Sequence, residues 1–280
     1  MAREPAETAD IFGAQPADTA LLAELYDLEH DEITEDLAFY RDWVRRSGAT
    51  AVLDLGCGSG RLFRALLDGG AQRIVGIDGS PALLERAERR IGEDERLAQA
   101  RAGGRIELAA GDVRHVRRRD RFGLVVLAGV IAHLGGPEDA VEALGAVASV
   151  LEPDGRAIVD TLGPGGLPEH ELPMSVDWEK RIGDRRVVRR SSLELNPTPE
   201  GLRVAYSTLT DLVGPDGTIA RVPASFRLWY PSPSAVAALA EEAGLVVEAA
   251  FGSHDLAPLD DESERCIVVL RPASDGPGVG

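Results

Sequence analysis

Cysteine is scarce in this chain: Cys57 and Cys266 are the two present in 280 residues. Two thiols supply neither a disulfide framework nor the paired spacing of a zinc site, so no metal is expected. A reducing, cytoplasmic setting is the expected one. Positive charge is also short. Thirty Lys and Arg stand against 47 Asp and Glu, for a formal net charge of −17. Such a field repels phosphate backbones and argues against a nucleic-acid partner. No apolar run approaches the length of a membrane span, and Met1 to Thr19 lacks the apolar centre of a signal peptide, so no membrane partner is expected. Aromatics are sparse at 5%, yet 44% of residues are hydrophobic, enough for one large core with or without a cap.

What is present is most informative at Val52-Leu53-Asp54-Leu55-Gly56-Cys57-Gly58-Ser59-Gly60. This reads as a buried strand, a glycine-rich turn and the start of a helix. Glycines at alternate positions let the backbone turn sharply and let a ligand approach with no Cβ in the way. The helix beyond offers free N–H groups to a negatively charged group. A dinucleotide fingerprint needs a third glycine where this chain has Arg61. Ile74-Val75-Gly76-Ile77-Asp78 is a second apolar run ending in an acid, about twenty residues past the turn, where nucleotide-binding α/β folds place an acceptor for ribose hydroxyls. Further strands are expected at 106–113, 124–128 and up to Val159, with helices at 60–68, 81–91 and 137–150.

The order of these elements predicts a parallel sheet with helices on both faces. The alternation breaks after Asp160. Three strand-like runs follow, at 186–195, 202–213 and 218–230, separated by Asn196-Pro197-Thr198-Pro199 and Gly214-Pro215-Asp216-Gly217. They predict an antiparallel meander inserted after strand five, then a helix over 234–243 and a final antiparallel pair at 245–251 and 265–271. Ligands of such folds bind beyond the carboxyl ends of the strands, so an insertion there roofs the pocket. Residues 20–47 read as helical and carry Glu24, Asp27, Glu29, Asp31, Glu32, Glu35 and Asp36. Their acids are either a solvated face or part of a lid that favours a cationic ligand. The Arg114 to Arg121 run reads as a solvated face, and Cys57, Trp178 and Trp229 as filler.

The pattern Asp54-x-Gly56-x-Gly58-x-Gly60, with the elements downstream in register, resembles motif I and the core of the class I S-adenosylmethionine-dependent methyltransferases. Tyr26-Asp27-Leu28, Ala132-His133-Leu134 and Ser225-Phe226-Arg227-Leu228-Trp229-Tyr230 resemble, within that class, the glycine N-methyltransferases and the amino-sugar N,N-dimethyltransferases. The resemblance implies a Rossmann-like seven-stranded α/β sheet, last strand antiparallel, with an inserted antiparallel β cap after strand five. It divides the chain into a disordered N-terminus (1–19), a helical lid (20–47), a cofactor core (48–162 and 232–272), a cap (163–231) and a disordered tail (273–280). It implies S-adenosylmethionine as cofactor, held by Asp54, Gly56, Gly58, Gly60, Asp78, Gly79, Asp112, Val113 and Ala128, with Asp112 and Val113 at the adenine edge. It implies a small-molecule acceptor, methylated on an amine nitrogen, with Tyr206, Tyr230 and Arg227 as acceptor contacts. A homodimer is compatible with it.

His133 is the candidate base and Tyr26 its hydrogen-bonding partner. Packing duty for His133 and strand-face packing for Tyr206 and Tyr230 stand beside those roles. The glycine enzymes have an asparagine where this chain has Gly129, which counts against free glycine. Their cofactor-carboxylate arginine has no clear equivalent, with Arg41 and Arg45 as nearby candidates. O- or C-methylation uses the same core. A protein that binds the cofactor without transferring methyl is the alternative of another class.

Overall fold

In the computed structural model, residues 16–273 are described. The expected disorder of 1–19 and 273–280 falls mostly on residues outside that range, but residues 16–19, expected to be disordered, form the start of a helix. Five parallel strands come first: β1 (Ala51–Leu55), β2 (Arg73–Asp78), β3 (Ile106–Ala110), β4 (Phe122–Ala128) and β5 (Leu151–Leu162). β1, β2 and β4 are nearly all buried, which is why they read as continuous apolar runs instead of alternating ones.

The cap follows as β6 (Leu172–Ile182), β7 (Arg185–Thr198), β8 (Gly201–Val213) and β9 (Ile219–Pro231), and the chain returns through β10 (Leu245–Phe251) and β11 (Arg265–Pro272). The main sheet has the order β10-β11-β5-β4-β1-β2-β3, with β11 antiparallel to both β5 and β10. The expected seven-stranded fold with an antiparallel last strand is therefore present.

Helices cover both faces: α1 (Pro16–His30), α2 (Leu37–Ser47), α3 (Phe63–Gly69), α4 (Pro81–Glu93), α5 (Glu95–Ala102), α6 (Pro137–Val150) and α7 (Pro233–Glu242). Their starts follow local chemistry. Ser80 accepts from the Leu83 N–H ahead of Pro81, and Ser232 accepts from the Ala235 N–H ahead of Pro233. Leu53, Leu55, Val75 and Val125 pack toward α6 and α7, and Val52, Ile74, Leu124 and Val126 toward α2, α3 and α5. Among the described residues, no helix is long and apolar enough to cross a membrane.

Two elements differ from the sequence reading. The cap is a four-stranded antiparallel meander, not three-stranded. The added first strand, β6, carries Leu172, Met174, Val176, Trp178 and Ile182 at alternate positions, a period-two signal. The N-terminal helix is broken at 31–36. Ile33 and Thr34 are adjacent β-branched residues, poor in helices, and Arg61 captures the Ile33 carbonyl at 3.0 Å. Helix α1 lies between the cap and α4, burying Leu22 and Leu25 against Leu83, Val187, Leu212 and Val222.

Candidate functional site

The glycine turn leaves β1 with Gly56, Gly58 and Gly60 at φ of 77, 54 and 73°. These left-handed values favour glycine. The N–H groups of Gly56 and Cys57 both donate to the Ile77 carbonyl, at 2.7 and 3.0 Å, tying the turn to β2. A Cβ on Gly56 would come within 2.4 Å of Val130 Cγ2. At Gly58 a Cβ would instead meet the Tyr26 ring in ordinary contact, 3.6 Å from its hydroxyl. Asp78 is buried beneath the turn. One carboxylate oxygen accepts the Gly58 N–H and the other the Ser80 N–H, each at 2.8 Å. Its acid therefore has a structural duty that the sequence does not display: it staples the turn to the start of α4. Gly79 lies close to the Gly111 carbonyl, and the Gly111 N–H donates to the Asp78 carbonyl at 3.0 Å.

Asp54 is buried at the carboxyl end of β1, and its Oδ2 has no hydrogen-bond partner. Burial pushes its pKa up to about 7; the nearby Arg61 charge opposes the rise and Asp78 adds to it. Arg61 is held by the buried Asp36, at 2.8 Å, so it fastens the break between α1 and α2 to the turn. The two nearby candidates for a cofactor-carboxylate arginine have partners of their own. Arg41 pairs with its neighbour Asp42, and Arg45 bonds the Asp68 carbonyl, both at the surface.

Asp112 caps the turn over Val113–His115 and is gripped by Arg114 at 2.6 Å. The Arg114 hydrogen bonds hold its carboxyl below the usual aspartate range. Val113 packs against the core, and Ala128 ends β4 next to Gly129, whose N–H reaches the Asp160 carbonyl at 2.8 Å.

Above the strand ends, α1 presents Tyr26 and His30, four residues apart and stacked at 4.0 Å between ring centroids. Burial pushes the Tyr26 phenol up to about 12, so it stays protonated and can donate. His133 follows β4 in the turn Ile131–His133. Its side chain is exposed by area, yet surrounding protein and, secondarily, His30 hold its pKa below that of a free histidine.

Cross-strand partners share a sheet face, so Tyr206, paired with Phe226, and Tyr230, paired with Leu202, lie on one face of the cap. Arg227, paired with Ala205, lies on the other and is exposed. The structure thus groups Tyr206 and Tyr230 and leaves Arg227 apart from them. Trp229 is buried among Ile131, Leu134 and other core residues and fixes β9 beside the His133 turn.

Several residues were not read from the sequence. Arg189 is 8% exposed on the inner cap face, donates to the Tyr206 hydroxyl at 2.5 Å and pairs with Glu29. Asp160, at the end of β5, accepts from Tyr40 at 2.6 Å, from His254 at 2.8 Å and from Arg265 at 2.9 Å. Burial alone would raise its pKa; these three partners more than offset it and hold it low. His30 had a usable signal in its spacing of four from Tyr26. Several acids of the N-terminal segment are paired within the chain and are not a bare solvated face. Asp27 pairs with Arg86 and Arg90, Asp31 with Arg90, and Glu32 with Lys180. In the basic run, Arg114 and Arg118 are likewise paired, with Asp139 and with Glu107 and Asp120.

Residues 52–155 match the model of a methyltransferase domain. The chain is 34% identical over 114 residues to a ribosomal RNA small subunit methyltransferase H of a Synechococcus species, covering 38% of this chain and 33% of that protein. It thus spans about a third of the length of that curated relative. The CcbJ methyltransferase structure from Streptomyces caelestis superposes with a TM-score of 0.67 at 19% identity, over 97% of this chain and 94% of the other. The sugar N-methyltransferase KedS8 from a Streptoalloteichus species gives 0.66 at 21% identity, over 88% and 92%. At these identities the two structures show a shared fold.

Proposed function

From the premise that residues 52–155 are a methyltransferase domain, we propose that this chain is an S-adenosylmethionine-dependent methyltransferase acting on an amine nitrogen of a small molecule. The observation that carries the cofactor reading is the buried, unpartnered Asp54 oxygen beside three left-handed glycines. An anion left without a partner in the interior is costly and suits a cation brought by a ligand. Gly58 carries no side chain toward that ligand, and Asp78, at the end of β2, stands where nucleotide-binding folds place the acceptor for ribose hydroxyls. Gly56, Gly60 and Gly79 shape the cradle, with Asp112, Val113 and Ala128 along its adenine side. When bound, S-adenosylmethionine supplies a methyl group on an activated sulfonium.

The chain's own residues must align the acceptor, exclude water and accept a proton. An attacking amine needs its lone pair free. His133, kept neutral near pH 7 by its surroundings, offers an unprotonated ring nitrogen for the acceptor's proton. Tyr26, which holds its own proton, donates a hydrogen bond to orient the acceptor. Tyr206 and Tyr230 line the cap side, and α1 (the lid) closes the cleft against water. The nitrogen assignment is supported by the cleft histidine and by the fold shared with a sugar N-methyltransferase.

A panel of amino sugars, amino acids and phenols tests it. The expected result is methylated amine, with S-adenosylhomocysteine released in proportion. Methylation of phenols with every amine inert would transfer the reading to oxygen. His133→Ala should keep cofactor affinity and lose turnover roughly 10²- to 10⁴-fold. Near-normal turnover would return His133 to a packing role.

A further inference from the structure

The inner face of the cap carries a polar cluster of which the steps above use only Tyr206. Arg189 sits between two rings, 5.9 Å from the centroid of Trp178 and 5.5 Å from that of Tyr206. Its terminal nitrogens serve Glu29 and the Tyr206 hydroxyl. Its Nε is buried without a hydrogen bond, 3.6 Å from Asp177 Oδ2. The other Asp177 oxygen accepts from the Ser191 hydroxyl at 2.7 Å.

Two of its three nitrogens are engaged within the chain, and the third faces the Asp177 carboxylate. It is not poised for a phosphate, which needs donors still free. The carboxylates around it are more open, with Glu29 and Asp177 side chains 32% and 26% exposed. Lys180 nearby is itself paired with Glu32 at 2.7 Å. Counting Arg189, Lys180, Glu29, Glu32 and Asp177, the cluster has two cations and three anions. Polar edges beside aromatic faces suit a hydroxylated ring, whose C–H face stacks while its hydroxyl and ammonium groups meet carboxylate and tyrosine oxygens.

We propose that Glu29, Asp177, Ser191 and Tyr206, set around Arg189, form an acceptor subsite for a phosphate-free polyhydroxylated amine, binding its hydroxyls and a second ammonium group. This rests on the small-molecule amine reading and narrows it: the acceptor is delivered as a free or glycosidically linked amino-polyol, not as a nucleoside-diphosphate sugar. Glu29 belongs to α1 and the other residues to the cap, so the bound polyol spans the seam between them.

The test is equilibrium binding, which does not depend on turnover. Wild-type protein loaded with S-adenosylhomocysteine is titrated by calorimetry with 2-deoxystreptamine, an amino-polyol with two amines, and with uridine-diphosphate glucosamine. The diamine should bind at least tenfold more tightly. Asp177→Asn should weaken it at least fivefold without changing S-adenosylhomocysteine affinity, and Glu29→Gln, whose folding is checked by the same cofactor titration, should act in the same direction. Tighter binding of the nucleotide sugar, no binding of the diamine, or indifference of its affinity to both substitutions overturns the proposal. A diamine that binds as expected but is never methylated would instead count against the transfer reaction.

Discussion

Asp54 offers the sharpest test of how the cofactor site is built. Its carboxyl is buried with one oxygen unpartnered, and its pKa stands at about 7 against an ordinary 3.8. That rise of about three pH units corresponds to ~4 kcal/mol against the ionised form. The raised value means that the native state keeps a proton which the unfolded chain has lost. Stability therefore falls as pH climbs from about 4 to about 7, and levels off above that. Asp54→Asn keeps the shape and removes the charge. Near pH 8 it should relieve most of that ~4 kcal/mol, less the ~1–3 kcal/mol cost of an amide left unsatisfied in the interior. A net gain of ~1–3 kcal/mol near pH 8 is expected, shrinking to nothing or reversing near pH 4. Thermal unfolding of both proteins across this range, without cofactor, measures it. The same substitution should weaken S-adenosylmethionine binding at least tenfold near pH 8, by about 1.4 kcal/mol or more. Wild-type affinity should rise from about pH 5.5 to about pH 8, with proton release seen as a buffer-dependent heat. A variant no more stable than wild type near pH 8, with unchanged affinity, would refute the reasoning.

Asp78→Ala removes the acceptor of the Gly58 and Ser80 N–H groups. It should weaken S-adenosylmethionine binding at least tenfold, about 1.4 kcal/mol, and lower the melting temperature as well; unchanged calorimetric affinity would remove Asp78 from the site. Gly58→Val should abolish binding by setting a side chain against Tyr26 and straining a positive φ, and retained binding would mean that the ligand lies elsewhere. Asp160→Ala leaves Arg265, His254 and Tyr40 without their shared buried partner and should cost ~3–5 kcal/mol in denaturant unfolding. Because the folded pKa of Asp160 is lowered, its contribution is present above about pH 4 and is lost as pH falls further, so the gap between variant and wild type should narrow in acid.

The centre of the main sheet was legible because β1, β2 and β4 are buried on both faces. Continuous runs such as Leu124 to Ala128, closed by a glycine or an acid, leave few other readings. The glycine turn was legible because only glycine tolerates its backbone. The cap was partly legible: Pro197, Pro199 and Gly217 marked its turns, but β6 is an exposed edge whose alternation is not reinforced by burial. The acceptor side was the least legible. Arg189 and Glu29 are 160 residues apart in sequence and meet because α1 is packed on the cap. Nothing local marks either one. Arg227 shows the converse: a residue inside a matching segment falls on the wrong face because a strand reverses its side at every step. The acid at position 78 looked purely functional, and its backbone partners became visible only in three dimensions.

The free edge of the cap has a consequence for how copies of this protein behave together. Strand β6 ends the smaller sheet, with Leu172, Met174 and Val176 at 48, 42 and 59% exposure. An edge of this kind is a template on which another strand can grow. Here the ladder is interrupted twice, between Leu172 and Ser175 and between Val176 and Trp178, and Pro173 removes one donor from the row. The kinks that keep β6 from a regular register with β7 also deny an incoming strand a straight seat. The irregularity of β6 works against ribbon-like pairing of copies, and smoothing that strand in an engineered variant would open the edge to strand addition.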